Sequence, residues 1–159
     1  MLKALYLWGV QRLIPLNLPI AQLKLVKKEG IPYVWDSLRG KYLKLTPEEW
    51  VRQHFINYMI NDLNYPKSGI ALEGGLKVNN QSFRTDILLY KDAVPWMIVE
   101  CKAPDIKLTQ QVLDQASLYN LTYQTPYIAI TNGIKHFSYQ VHKETKQYTP
   151  LTNFPSYVS

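Results

Sequence analysis

Residues 83–104, FRTDILLYKDAVPWMIVECKAP, contain the pattern on which the fold prediction rests. Two apolar runs, ILLY and WMIV, flank the turn-forming residues KDAVP, which predicts two short β-strands joined by a tight connection. Three charged residues interrupt or end these runs: Asp86, Glu100 and Lys102. A buried charge is costly unless it is paired or binds a metal. The stretch therefore predicts a strand pair that carries a functional charge cluster.

The spacing of these charges predicts that they meet. Side chains alternate between the two faces of a strand, so Glu100 and Lys102 share a face. Antiparallel pairing can place Asp86 opposite Glu100, with side-chain roots about 5 Å apart. Two carboxylates this close repel each other, so one takes up a proton unless a cation lies between them. Oxygen ligands of this kind predict a site for Mg²⁺ (or Mn²⁺).

Such a site suits phosphodiester hydrolysis. A divalent metal polarises the phosphate and lowers the pKa of a bound water. Lys102 could orient that water or stabilise the negative charge that develops on the phosphate, and the sequence leaves both roles open.

The remaining pattern predicts a mixed α/β layer. Residues 46–63, TPEEWVRQHFINYMINDL, predict a helix capped by Thr46, with Pro47 at its first position and Glu49 completing a capping box. Residues 108–123 predict a second helix. The predicted order is a basic arm, a helix, three strands, a helix and two strands, followed by an edge strand in the tail. This order favours helices packed on a central sheet.

The positive charge is concentrated at the start of the chain. The net charge is +6, and residues 1–45 hold eight Lys or Arg against Glu29 and Asp36. We expect residues 1–45 to form a basic β-hairpin arm and residues 46–159 a nuclease-like domain, the two making one compact unit. A basic end on a neutral body indicates a polyanion as partner, although a merely solvated face remains the alternative.

Cysteine content and hydropathy indicate in which cellular compartment the protein is expected. Cys101 is the single cysteine of 159 residues, which excludes an internal disulfide and fits a reducing environment. Since no apolar run reaches the roughly 18 residues of a membrane span, we expect a cytoplasmic protein with no membrane partner.

Asp86 followed by ECK (Glu100 to Lys102) resembles the D…(D/E)-x-K signature of the restriction-endonuclease-like, or PD-(D/E)xK, nucleases. The wider set resembles the N-terminal nuclease domain of type I restriction enzyme R subunits and its small stand-alone relatives: LTPEEWVRQHFINYMI, YPKSGIALEGGLKVN, RTDILLY, VECKAPDIKLTQQVLDQASLYN and PYIAITNGIKHF. The resemblance implies a restriction-endonuclease-like core and a Mg²⁺-dependent DNA endonuclease of restriction, defence or repair.

The resemblance also implies roles for single residues. Asp86, Glu100 and Glu49 would hold the metal, with Glu48 a second candidate for the helix acid, although Glu49 could be only the capping acid. The Gln-x-x-x-Tyr motif of the family maps onto Gln115 and Tyr119, which would lie near the substrate strand; a polar helix edge is the alternative. The sequence has no GxxxxGK[ST] motif, so we expect no ATP-driven motor in this chain.

The predicted DNA contacts lie mostly in the basic arm: Lys24, Lys27, Lys28, Arg39, Lys41, Lys44 and, beside the site, Arg84. Arg84 could instead pair with a carboxylate, and the arm could instead form a homodimer. Two further alternatives to a nuclease are a non-catalytic nucleic-acid-binding module of the same fold and a purely structural domain. The presence of both acids and the lysine favours the nuclease.

Overall fold

Residues 13–78 and 81–158 are described by the structure, which is a computed structural model; side chains are described for all of these except residues 73–84. The elements in chain order are β1 (Leu25–Lys28), β2 (Ile31–Asp36), β3 (Lys41–Lys44), α1 (Pro47–Asn61), β4 (Ile70–Val78), β5 (Gln81–Lys91), β6 (Val94–Cys101), α2 (Gln110–Tyr123), β7 (Tyr127–Thr131), β8 (His136–His142) and β9 (Gln147–Leu151).

The central feature is a six-stranded sheet in the order β4-β5-β6-β7-β8-β9. Its neighbours are antiparallel except β6 and β7, which are parallel because α2 crosses over between them. Asp92 and Ala93 join β5 to β6 with φ values of 51° and 61°. Positive φ at both positions matches the twist of a two-residue hairpin. The mixed sheet with its two helices confirms the predicted α/β fold class.

The two helices cover opposite faces of this sheet. Val51, Phe55 and Met59 of α1 pack in one cluster with Met97 and Val99 of β6. The cluster under α2 instead contains Ile128 and Ile130, whereas Ala129 between them belongs to the α1 cluster. Because side chains alternate along a strand, the two clusters lie on opposite sides of the sheet.

Helix α1 begins as the sequence predicts. The Thr46 hydroxyl accepts a hydrogen bond from the Glu49 backbone N–H at 3.0 Å, and Pro47 follows the cap. The Glu49 carboxylate is directed along the helix, where it accepts from Arg52 and Gln53. The described residues show no return bond from the Thr46 N–H to this carboxylate, so only the Thr46 half of the predicted capping box forms.

Strands β1, β2 and β3 form a separate antiparallel sheet, called here the small sheet. Its inner face is buried on α1 through a cluster of Leu13, Val34, Leu45 and Trp50. The segment before it is also fixed, since the Asn17 N–H donates to the Gly133 carbonyl at 2.7 Å. The basic residues thus belong to a packed sheet. Within the described part of the chain, no helix is long and apolar enough to span a membrane.

Candidate active site

Asp86 lies where strands β5 and β6 separate. Ile87 pairs with Val99, so Asp86 and Glu100 are the next residues along the two strands. One oxygen of Asp86, Oδ2, accepts a hydrogen bond from the Cys101 N–H at 2.7 Å. The carboxylate therefore serves as an acceptor for the backbone of β6 and is held beside Glu100.

Glu100 is a buried acid, with 3% of its surface exposed. Its Oε1 accepts from Lys102 Nζ at 2.7 Å, while its buried Oε2 has no hydrogen-bond partner among the described residues. Burial and then the charge of Asp86 raise the pKa of Glu100 to about 7, against the opposing effect of Lys102. Asp86, Glu100 and Lys102 thus include an acid whose ionised form is disfavoured by burial and by the charge of Asp86.

Lys102 connects this acid to helix α2. Its Nζ donates to Glu100 and also to Gln115 Oε1 at 3.3 Å. Burial alone would lower the pKa of Lys102, but the hydrogen bond and charge of Glu100 outweigh burial and raise the pKa. Lys102 is therefore an ammonium at neutral pH.

Gln115 and Tyr119 extend the same network. They lie one turn apart on α2, and Gln115 Nε2 donates to the Tyr119 hydroxyl at 2.9 Å. The helix is held in this position because Val112, Leu113 and Ala116 pack towards β7. The structure thus brings together five of the predicted residues: Asp86, Glu100, Lys102, Gln115 and Tyr119.

Arg52 is a site residue that the sequence reasoning missed. It is 5% exposed, and its guanidinium donates to Asp86 Oδ1 at 2.7 Å, to Glu48 Oε1 at 3.0 Å and to the Glu49 carboxylate. Burial would lower its pKa, but the charges of Asp86 and Glu49 raise it. The spacing of Arg52 three and four residues after Glu49 and Glu48 on one helix predicts its contacts with these two acids. Nothing local indicates the contact with Asp86.

The two helix acids have different surroundings. Glu49 is buried and accepts from Arg52 and, at 2.8 Å, from Gln53. Glu48 is half-exposed, and burial followed by the charge of Asp86 raises its pKa. The charge of Glu48 also adds to the raised pKa of Glu100. Glu48 thus interacts with both strand acids, whereas Glu49 is held within α1.

The site offers two carboxylates, the donor type that a hard divalent cation takes, while Asp86 Oδ1 and Oδ2 already accept from Arg52 and the Cys101 N–H. Mg²⁺ in proteins is held by one or two carboxylates and keeps several waters. Asp86 and Glu100 supply two carboxylates, and the buried Oε2 of Glu100 is an oxygen in need of a positive partner. In the described residues, no three His, Cys, Asp or Glu side chains are grouped to hold an ion, so the fit rests on these two acids.

The sequence model of a family described as type I restriction enzyme R protein N terminus (HSDR_N) matches residues 47–155. The chain belongs to this family. The match covers α1, the six-stranded sheet and α2, and therefore every residue of the charge cluster.

A solved structure supports the fold of this HSDR_N family member. It is a fragment assigned as an HsdR subunit of a type I restriction enzyme from Vibrio vulnificus YJ016, with a TM-score of 0.53 and 19% sequence identity. The similarity covers 70% of this chain and 24% of that chain, so this chain spans about a quarter of that one. No curated protein is similar enough in sequence to count as a match.

The predicted DNA contacts of this HSDR_N chain have unequal surroundings. Five are exposed on the small sheet or at its edge: Lys24, Lys27, Lys28, Lys41 and Lys44. Arg39 donates to the buried Asp36 at 2.6 Å, which places its guanidinium in an ion pair within the β2–β3 turn. The side chain of Arg84 lies outside the described residues.

Glu100 gives this HSDR_N chain a testable pH dependence. Its pKa rises from an ordinary 4.5 to about 7 on folding, so its contribution to stability is complete below pH 4.5 and is lost as pH rises through about 7. We expect Glu100→Gln to remove this loss and to make the metal-free protein more stable at pH 8 by at most about 3 kcal/mol. Urea unfolding in EDTA at pH 4.5 and 8 measures the free energy of unfolding of the wild type and of the variant at each pH. An unchanged pH dependence in Glu100→Gln, matching that of the exposed control Glu144→Gln, would contradict the assignment.

Proposed function

We propose that this chain is a Mg²⁺- or Mn²⁺-dependent DNA endonuclease. The observation that carries the proposal is Glu100, a buried carboxylate beside Asp86 and Lys102 whose Oε2 has no hydrogen-bond partner in the part of the chain that the structure describes. Membership of the HSDR_N family supports the assignment to restriction-related DNA cleavage. We extend the proposal to a role in restriction, defence or repair.

In this proposal, Asp86 and Glu100 hold the metal, which supplies polarisation of a phosphate and a water of lowered pKa. The rest of the chemistry belongs to the chain. Lys102, kept as an ammonium by Glu100, stabilises the negative charge that develops on the phosphate. Its raised pKa favours this role over that of a general base.

Neighbouring side chains position these three residues. Gln115 accepts from Lys102 and donates to Tyr119, so α2 fixes the direction of the ammonium. Arg52 fixes Asp86 from the opposite helix. We further propose that an acid of α1 supports the metal through its waters; of Glu48 and Glu49, Glu48 has the electrostatic contacts with Asp86 and Glu100 that favour it.

The small sheet is proposed to supply phosphate contacts through Lys24, Lys27, Lys28, Lys41 and Lys44, with Arg39 and Arg84 as further candidates. Neutralised phosphates release counterions, so DNA affinity should fall steeply with salt. A cut in both strands of a duplex needs two active sites, which makes a homodimer part of the proposal.

The direct test is cleavage of duplex, single-stranded and branched DNA with Mg²⁺, Mn²⁺ or EDTA. Metal-dependent cleavage of any of these forms, abolished by EDTA, is expected. Binding of DNA without cleavage under all conditions would instead favour the non-catalytic binding module.

Metal binding separates the roles of the charged residues. We expect Asp86→Asn to weaken Mn²⁺ binding by at least about tenfold, because even outer contacts of a metal site are worth 10- to 100-fold. Lys102→Ala should still bind Mn²⁺, since it removes no ligand. Isothermal titration calorimetry of both variants measures this difference. Equal affinities in the two variants would contradict the role assignment.

A further inference from the structure

The small sheet has a second face that does not pack on α1. Alternation along the strands places Val34 on the inner, buried face and its neighbours on the other. This outer face consists of Lys24, Val26, Lys28, Ile31, Tyr33, Trp35, Tyr42 and Lys44. It lies outside the residues matched by the HSDR_N family, so the family assigns it no role.

Three half-buried aromatic rings occupy the middle of the outer face. Trp35 and Tyr42 are paired across β2 and β3 with ring centroids 5.1 Å apart. Lys24 Nζ lies 5.6 Å from the Trp35 ring, and Lys28 Nζ lies 5.4 Å from Tyr42 and 5.8 Å from Tyr33. These distances are those of cation–π contacts. The face therefore combines aromatic rings with lysine ammonium groups that lie over them.

None of the described small-sheet residues on the outer face is an acid. The two acids of residues 13–45 are Glu29, in the β1–β2 turn, and Asp36, which is fully buried and accepts from the Leu38 and Arg39 N–H groups. Within residues 13–45, Lys24, Lys28 and Lys44 thus have no carboxylate beside them on this face. Its charge is complementary to a polyanion.

Aromatic rings flanked by lysines suit a polyanion whose flat groups are accessible. In a duplex the base faces are stacked on one another, whereas a single strand can place its bases on protein rings and its phosphates on lysines. We propose that the outer face binds single-stranded nucleic acid, with bases stacked on Tyr33, Trp35 and Tyr42 and phosphates bound by Lys24, Lys28 and Lys44. The inference does not depend on cleavage, so it is tested without metal.

Single-ring variants test the stacking. We expect Tyr42→Leu to weaken binding of labelled oligo(dT) or oligo(rU) by roughly 5- to 150-fold, the usual value of one stacked base. Tyr148→Leu is the matched control, because Tyr148 is an exposed tyrosine on strand β9. Fluorescence anisotropy in EDTA measures affinity, and the same two variants should bind a duplex equally well. Binding of either oligonucleotide with this dependence supports the proposal.

Trp35 provides a second measurement that does not require a destabilising change. Stacking of a base should quench its indole emission, whereas Trp50 is buried under the sheet. We expect Trp35→Phe to lose most of the quenching and to keep affinity within a few-fold, because a ring remains. Trp35→Leu should lose both the quenching and the oligonucleotide affinity. Thermal unfolding reports whether each variant is folded.

Two results would overturn the proposal. One is equal oligonucleotide affinity in Tyr42→Leu, Trp35→Leu and the Tyr148→Leu control. The other is absence of oligonucleotide binding by the wild type; a dimer, seen by sedimentation, that Trp35→Leu dissociates would then show that the face binds a second protein chain. Since Asp86→Asn leaves the outer face intact, it should bind oligonucleotides like the wild type even if no cleavage is ever detected.

Discussion

Asp86→Asn is expected to lower the rate of metal-dependent DNA cleavage by about a thousandfold or more. A metal that polarises a phosphate supplies several kcal/mol of transition-state stabilisation, and each 1.36 kcal/mol is a factor of about ten. Asparagine retains the size of the side chain and an oxygen for the Cys101 N–H. The loss would therefore report the charge and not a collapse of the strand.

Glu100→Gln and Lys102→Met should lower the cleavage rate by a similar factor. Glu100→Gln would do so by removing a ligand of the metal, and Lys102→Met by removing the cation that stabilises the charge on the phosphate. Asp114→Asn is the matched control, since Asp114 is an exposed acid of α2 that contacts Gln110. Initial rates on one DNA substrate at saturating Mn²⁺ compare the four variants. If Asp86→Asn cleaves as fast as Asp114→Asn, Asp86 has no part in the reaction.

Arg52→Gln is expected to cause the largest loss of stability. The guanidinium is buried between Asp86 and Glu49 and also pairs with Glu48, so its removal leaves three carboxylates without their cation. Breaking a buried ion pair by removing one partner costs about 3–5 kcal/mol. Urea unfolding at pH 7.5 in EDTA measures the free energy of unfolding, with the exposed Lys143→Gln as control.

A second substitution tests the reason for that loss. If the cost arises from the stranded charges, Glu49→Gln introduced together with Arg52→Gln should restore part of the stability, giving a favourable coupling between the two changes. Simple additivity of the two losses would show that Arg52 stabilises the protein by packing alone.

Local patterns predicted most of the fold because the deciding interactions are local. The two-residue turn at Asp92 and Ala93 pairs Tyr90 with Pro95, and a β-bulge between Leu89 and Tyr90 then shifts the β5–β6 register by one residue. The turn alone would place Asp86 opposite Val99, so it is this shift that brings Asp86 beside Glu100. Thr46 and Pro47 mark the start of α1 because a helix cap and the first helical position are also local signals. The family resemblance, confirmed over residues 47–155, added the positions of Gln115 and Tyr119.

The rest depends on contacts between distant parts of the chain. Arg52 reaches Asp86 across 34 positions, and the spacing on α1 predicts only its contacts with Glu48 and Glu49. The basic arm was predicted as strands, but its burial on Trp50 follows from how the small sheet docks on α1. The placement of aromatic rings on one exposed face became evident only from the strand pairing.

The connection between the small sheet and α1 has no slack. Strand β3 ends at Lys44 and α1 begins at Pro47, while the buried Leu45 donates its N–H to the Pro32 carbonyl at 2.9 Å. Trp50 then anchors the sheet only two residues before Arg52, which holds Asp86. In the proposed function, the outer face and the active site would therefore stay at a fixed distance from each other. A strand stacked on the outer face would be cut at a constant number of nucleotides from its first stacked base, whereas a flexible connection would give a spread of fragment lengths.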